Sequence, residues 1–353
     1  MVRRIIQRLH KIRKEYLRYK SQNWGNWWNF RHGFLPKSIE VCGITRENYR
    51  NFISDVDYVN GHPYNGMYSS IIDNKLYLPF LLHDFKEYIP QYYFFKDLCG
   101  FLHLCDYSTS RVDVEVVLAK LRETRSLVCK RVADSLGKGF FLIEYENEGR
   151  VFVNKKISTM SEIKQLLNSL QNYIISECVK NHPYAASAAP ASLNTIRLLF
   201  VWDDEKKEFF VPRAFHRFGC AGSVVDNLAA GNGILVYMNP NTGELLDEGV
   251  ISKNGKDAYV RDIMIHPDNS VKLTGVRVPN FSRIVKTCHD IFSRHSYLRY
   301  FGVDIAVTND GFKIIEINSL TTLATIQQRK GFLADERIRK IFKVSRNTFQ
   351  LRC

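Results

Sequence analysis

The stretch GVDIAVTNDGFKIIEINSL, residues 302–320, constrains this chain more than any other. Two β-branched and aromatic runs, VDIAV and FKIIEI, flank the turn signal TNDG, the pattern of a β-hairpin. Side chains alternate between faces along a strand, so Glu316 and Asn318 share one face. Register then decides where Asp304 lies. A two-residue Asp310-Gly311 turn sets Asp304 opposite Ile317. A three-residue loop, Asn309-Asp310-Gly311 with glycine in the left-handed position, sets it opposite Glu316. Facing carboxylates repel each other unless a cation sits between them. Oxygen-only ligands of this kind suit Mg2+ carrying substrate phosphates, and that reading requires the three-residue loop. A hairpin with one wet, polar face accounts for the same residues equally well.

The rest of the chain sets this hairpin in an α+β context. LNTIRLLFVW, EFFVPRAFHR and ILVYMN read as strands of a largely antiparallel sheet, and FSRIVKTCHDIFSRH reads as an amphipathic helix just before the hairpin. Upstream, RSLVCKRVADSLGKGFFLIEYE gives strand, glycine loop, strand. STMSEIKQLLNSLQNYII gives a helix with Ser158 at its N-cap and Glu162 in its first turn, leading into the strand YIISECV. Residues 91–120 read as helix and connection. The small-residue segment HPYAASAAPAS marks a lobe boundary. Residues 23–90, rich in aromatics and turns, read as a small mixed lobe ending near Pro90.

A net charge of +14 favours an anionic partner. The segment MVRRIIQRLHKIRKEYLRYK holds eight Lys/Arg against one Glu. Its Val2, Ile5, Ile6, Leu9, Ile12, Tyr16 and Tyr19 recur at helical spacing, so residues 1–22 are expected to form a basic amphipathic helix. The tryptophans of NWGNWWNF follow, which favours contact of residues 1–20 with an anionic membrane surface over docking on the chain itself. No basic and aromatic motif of a nucleic-acid reader is present, so no nucleic acid is expected as a partner. No apolar run approaches the ~18 residues of a membrane span, and the N-terminus lacks the apolar core of a secretory signal. The eight cysteines are scattered, and Cys99-x3-His103-x-Cys105 has no second ligand pair, so reduced thiols and a cytoplasmic location, peripheral at the inner face of the membrane, are expected.

Several charged residues sit where charge is costly. Lys130 ends the apolar strand LVCK, and the glycine loop SLGKG, Ser135 to Gly139, follows at once. A lysine inside a sheet is costly to bury without an anion. Glycines between strands let backbone N–H groups approach phosphate oxygens, although a GKG turn also serves as a plain hairpin. Arg197 is the one charge between Ala185 and Trp202. A buried arginine takes a carboxylate or a phosphate in a bidentate fork. Arg213, His216 and Arg217 follow on the next strand. GCAGSVVDNLAAGNGI then reads as a substrate or phosphate loop with Asp226 and Asn227 as its polar elements.

The order of these features resembles the ATP-grasp superfamily, in particular its glutamate-ligase and D-alanine–D-alanine ligase branches. More closely, SLNTIRLLFV, GSVVDNLAAGNGI, HPDNSVKLTGVRVPNF and GVDIAVTNDGFKIIEIN resemble the sugar-transfer-associated ATP-grasp family found with surface-polysaccharide genes. The similarity covers roughly residues 91–335. It implies two α+β lobes, residues 91–190 and 191–353, holding ATP between antiparallel sheets. It also implies roles for individual residues. Lys130 and Lys96 would contact phosphates, and the loop of Ser135, Gly137, Lys138 and Gly139 would close over them. Glu177 would lie where adenine and ribose are held. Asp304, Glu316 and Asn318 would hold two Mg2+ ions. Arg197, with Asn227 beside it, would stabilise the transferring phosphoryl group or an acyl phosphate. The implied chemistry is ATP-dependent joining of a small-molecule carboxylate to an amine, an amino acid or amino sugar, or else phosphorylation of a sugar hydroxyl at the same site. A non-catalytic nucleotide-binding partner of glycosyltransferases is a third reading, and the full Asp304, Glu316 and Asn318 set argues against it.

Overall fold

The computed structural model describes residues 27–62, 64–104, 110–133, 139–226, 233–252, 259–260, 262–328, 330–345 and 348–351. The expected basic helix over residues 1–22 lies outside the described residues.

The first sheet is built from β1 (Tyr92–Lys96), β2 (Phe101–His103), β3 (Arg111–Val112), β4 (Ser126–Arg131), β5 (Phe141–Asn147), β6 (Arg150–Val153), β7 (Lys156–Ser158) and β8 (Tyr173–Glu177). Its order is β3-β2-β1-β8-β4-β5-β6-β7, so β8 is inserted between β1 and β4, antiparallel to both. Helices α1 (Val114–Thr124) and α2 (Met160–Ser169) cover one face, where Val117, Leu121, Ile163 and Leu167 pack on Phe94, Cys129 and Ile175. Residues 91–120 are therefore three strands and α1, not helix and connection. YYFFK is a short, unbroken apolar run, a pattern that buried strands and buried helices share, and pairing with β8 resolves it as a strand. The α2 cap is Thr159, one residue later than expected. Its Oγ1 accepts the Glu162 N–H at 3.2 Å, and the Glu162 carboxylate accepts the Thr159 N–H at 2.9 Å. Ser158 instead donates its hydroxyl to Glu162 from the end of β7.

The second sheet is built from β9 (Ile196–Asp203), β10 (Glu208–Gly219), β11 (Gly233–Met238), β12 (Leu245–Ser252), β13 (Tyr259–Val260), β14 (Tyr300–Thr308) and β15 (Gly311–Asn318). Its order is β13-β12-β11-β10-β9-β14-β15, again with antiparallel neighbours throughout. The apolar stripe of α3 (Phe281–Ser293) packs Ile284, Cys288, Ile291 and Phe292 on one face, with the Phe292 and Phe301 rings 4.8 Å apart. Two distant segments cover the other face. Leu323, Ile326, Phe332 and Phe342 come from the C-terminal side, and Ile53, Tyr58 and Tyr64 from the N-terminal side. The Tyr58 and Tyr300 hydroxyls are 2.8 Å apart, and the Asn65 amide donates to the Tyr300 carbonyl at 2.7 Å. Residues 27–88 fold as short helical turns that share this core with the sheet. Among the described residues no helix is long and apolar enough to cross a membrane.

The β14–β15 hairpin reaches the expected facing pair by a different route. Thr308 pairs with Gly311, so the connection is the two residues Asn309 and Asp310, not three. Continued without interruption, that register would set Asp304 opposite Ile315. A bulge between Ile305 and Asp304 takes up one residue of β15, and Asp304 pairs with Glu316 after all. Beyond the bulge Gly302 pairs with Asn318, which keeps Glu316 and Asn318 on the same face as Asp304.

Candidate active site

The two sheets face each other across a cleft of about 1020 Å³. From the first sheet, Cys129 and Leu127 turn into the core beneath α1 and α2, so alternation turns Val128 and Lys130 to the cleft. Burial lowers the Lys130 pKa below the ordinary lysine value, opposed by the charge of Glu316. Among the described residues no carboxylate lies within ion-pair distance of Lys130. Glu177 lines the cleft from the end of β8, where its carboxylate accepts the Gln91 N–H at 3.0 Å. Gly139 has φ +66°, and a Cβ there would lie 2.5 Å from the Tyr173 hydroxyl and 2.9 Å from the Arg131 Nε, so only glycine fits. Ser135, Gly137, Lys138 and Asn227 lie outside the described residues.

Lys96 does not reach this cleft. It pairs with Tyr173 and so shares the helix-covered face with Phe94 and Ile175. Its ammonium donates to the Asp97 carbonyl at 2.9 Å and lies 5.3 Å from the centre of the Phe101 ring, beside a separate cavity of about 400 Å³. The strand alternation that brings Lys130 in keeps Lys96 out. A different lysine enters instead. Lys75, on the turn after Asp73, bonds the Val132 carbonyl through its backbone N–H at 3.0 Å and sets its ammonium 3.3 Å from Glu316 Oε2. Asp73 accepts both the backbone N–H and the hydroxyl of Ser319, each at 2.6 Å. Nothing in the periodicity of residues 23–90 marks Lys75, because it acts from a turn.

The second sheet contributes a compensated cluster. Asp304 takes Arg197 Nε on one oxygen and Arg197 Nη2 on the other, both at 2.5 Å, and Arg217 Nη2 at 2.7 Å. Arg217 is held again by the Thr195 hydroxyl at 2.6 and 3.1 Å. Thr195 in turn donates its hydroxyl and its backbone N–H to Asp226, at 2.6 and 2.9 Å. Arg217 is a residue that sequence reasoning placed on a strand without a role. Burial alone would lower its pKa, but Asp226, Asp304 and Glu316 outweigh burial and raise it. Burial works to raise the Glu316 pKa, and Lys75, Arg197 and Arg217 together hold it well below the usual carboxylate range. For Asp226 burial prevails over the pull of Arg217, and its pKa is raised.

Lys75, Lys130, Arg197 and Arg217 thus meet Asp226, Asp304 and Glu316 in one cleft. Among the described residues eight lysines and arginines line the whole cleft against six aspartates and glutamates, a positive excess that suits an anion. The donors divide over a divalent cation. The Glu316 side chain is 24% exposed and ionised, and Asn318 donates to it through Nδ2 at 3.2 Å, which leaves its carbonyl oxygen uncommitted. This oxygen pair fits Mg2+ brought by phosphates. The Asp304 side chain is 2% exposed, and both its oxygens already accept guanidinium hydrogens.

Residues 58–342 match the family described as sugar-transfer associated ATP-grasp. A comparison with curated proteins finds no match. Among solved structures, the chain is similar to an ADP complex of purK, an N5-carboxyaminoimidazole ribonucleotide synthetase, at 10% identity with a TM-score of 0.41. That similarity covers 72% of this chain and 46% of that one. It is similar to the VanG D-Ala:D-Ser ligase from Enterococcus faecalis at 12% identity and a TM-score of 0.40, over 72% and 54% of the two chains. It is also similar to a D-alanine–D-alanine ligase from Bacillus anthracis at 11% identity and a TM-score of 0.40, over 78% and 68%. The chain spans about half the length of the first two of these structures.

Proposed function

The chain belongs to the sugar-transfer associated ATP-grasp family, and on that premise we propose that it is an ATP-dependent carboxylate–amine ligase. One observation carries the reading: Lys130 from the first sheet and Glu316, Asn318 and Arg197 from the second line the same cleft, with Lys75 beside Glu316. Adenine lies between the sheets beside Val128 and Leu142, with Glu177 at the ribose. Lys130 and Lys75 bind the phosphates, and Gly139 ends the loop that closes over them. Glu316 and Asn318 would hold Mg2+, which when bound would offset charge on the phosphate oxygens.

The reaction runs through an acyl phosphate. A substrate carboxylate oxygen attacks the γ-phosphorus as the bond to the ADP oxygen breaks. Arg197, fixed by Asp304, offers its remaining N–H groups to the equatorial phosphoryl oxygens as charge spreads over them. An amine nitrogen then attacks the acyl carbon, a tetrahedral intermediate forms, and phosphate leaves as the nitrogen loses a proton. Positioning and fixed charge supply the catalysis, and the site needs no covalent nucleophile. The product joins an amino acid or amino sugar to a cell-surface polysaccharide precursor. Residues 1–20 hold the enzyme at an anionic membrane where lipid-linked glycans lie.

Positional isotope exchange in ATP tests the chemistry. Exchange that depends on an added carboxylate is expected. Its absence, together with ATP-dependent phosphorylation of a sugar hydroxyl, would assign a kinase instead.

A further inference from the structure

Resting on the nucleotide reading above, we propose that Asp304 is a positioning residue that locks Arg197 and Arg217 into one fork, and that the divalent ion is single and held without it. The geometry has three parts. Asp304 is the point at which two guanidiniums converge, with three N–H donors between 2.5 and 2.7 Å and a side chain only 2% exposed. A carboxylate offers about four lone-pair sites and guanidinium hydrogens take three of them here, so a metal at the remaining one would stand directly against both guanidiniums. Each guanidinium also has its own support. Arg217 is pinned by Thr195, which Asp226 holds, and the stem of Arg197 runs over Gly302, where a Cβ would lie 3.2 Å from Arg197 Cδ and 2.7 Å from Thr321 Oγ1. The sequence thus leaves a side chain out at residue 302 in order to seat an arginine beside Asp304.

Charge gives the second argument. A dication on Asp304 would stand against Arg197 and Arg217 at contact range, on a side chain only 2% exposed. Glu316 also has cations beside it, Lys75 at 3.3 Å and Arg197 at 3.6 Å, but its side chain is 24% exposed to the cleft, where phosphate oxygens would complete the ion's shell. Asp304 therefore acts through the arginines. It holds two forks in the plane and spacing that a transferring phosphoryl group requires, and it keeps them there before the nucleotide arrives.

The test uses Mn2+, ADP and aluminium fluoride on the full chain, with bound Mn2+ counted by paramagnetic resonance. The wild-type chain is expected to hold one Mn2+ with ADP and to form a tight ADP–aluminium fluoride complex. Asp304→Asn is expected to keep its Mn2+–ADP affinity within about threefold, whereas Glu316→Gln loses tenfold or more, a loss of the size seen when metal-site groups are removed. Asp304→Asn should weaken the aluminium fluoride complex by a factor on the order of 100, the scale of a lost transition-state donor. Gly302→Ala tests the same idea without touching a carboxylate, and decides it if Asp304→Asn does not fold: weakened aluminium fluoride binding with unchanged Mn2+–ADP affinity is expected. Two Mn2+ per chain, or equal loss of Mn2+ in Asp304→Asn and Glu316→Gln, would overturn the proposal, as would Gly302→Ala with wild-type aluminium fluoride binding. A wild-type chain that binds no Mn2+–ADP would overturn the nucleotide reading itself, a result separable from all of these.

Discussion

The first sheet puts Lys130 into the cleft with no carboxylate at ion-pair distance among the described residues. The second puts two guanidiniums there and brings Asp304 and Asp226 to meet them. Both walls are antiparallel sheets packed under helix or chain, so the fold does not make the difference. Partners do. A buried charge without a partner is costly until an anion arrives, so that wall is where a ligand gains affinity. A charge already hydrogen-bonded on several sides holds its geometry whether or not a ligand is present, so that wall is where a ligand meets a fixed frame.

Removing a cation from each wall should therefore have opposite consequences for stability. The largest effect is expected at Arg217→Met, which leaves Asp304 and Asp226 short of a buried partner. Loss of one member of a buried pair destabilises by about 3–5 kcal/mol, readable as a lower urea midpoint at constant slope. Lys130→Met should leave the urea midpoint unchanged or raise it, since it replaces a half-buried charge that has no carboxylate at ion-pair distance among the described residues with apolar volume. Its cost should appear in binding instead. The loss of a charged contact to phosphate, about 1.5–3 kcal/mol, weakens ADP by about 10- to 100-fold in calorimetry. Equal stability losses in the two variants would erase the distinction between the walls.

Acid and alkali separate the walls in a second way. The Glu316 pKa is lowered from the ordinary 4.5 against the opposing effect of burial, chiefly by Lys75 and the arginines. The stability it contributes is therefore complete above about pH 4.5 and is lost as pH falls below that toward its lowered value. The Lys130 pKa is lowered from 10.5 by burial. The unfolded chain then binds that proton more tightly than the folded one, so this lysine's contribution to stability rises with pH through the window below 10.5. ADP affinity should fall through the same window, because phosphate contact needs the ammonium. Stability and nucleotide affinity moving together there would count against Lys130 as the unpaired charge.

The sequence makes the second wall more legible than the first, for physical reasons. Arg197, Asp304, Glu316 and Asn318 lie on strands with clear alternation, so their shared face follows from period two. The turn does not follow from it. TNDG allows more than one loop length, and a bulge at Ile315 restores the pairing that a two-residue connection would have lost. The convergence of Arg217 on Asp304 is a contact across β9, between strands that are not neighbours, and no local pattern encodes it. In the first wall YYFFK carries no alternation to read, so neither its strand nor the face taken by Lys96 was legible. Lys75 lies on a turn, where side-chain direction depends on the tertiary fold.

The smallest expected effect makes the comparison sharpest, because it concerns two lysines of the same half of the chain. Lys96 and Lys130 sit on strands separated only by β8, yet they point to opposite faces. Lys96 is 7% exposed, its ammonium donates to the Asp97 carbonyl, and it borders the small cavity beside Arg111 and Cys99. Lys96→Met should therefore change ADP affinity by less than about twofold, below the resolution of a lost charged contact. Lys75→Met, which removes the ammonium 3.3 Å from Glu316, should weaken ADP by about tenfold in the same titration. Set beside Lys130→Met, Lys96→Met isolates strand alternation from charge, since each of those variants deletes one strand lysine and the two lysines point to opposite faces. A loss at Lys96 as large as at Lys75 would mean that nucleotide phosphates reach the helix-covered side of the first sheet, and the cleft would no longer be the nucleotide site.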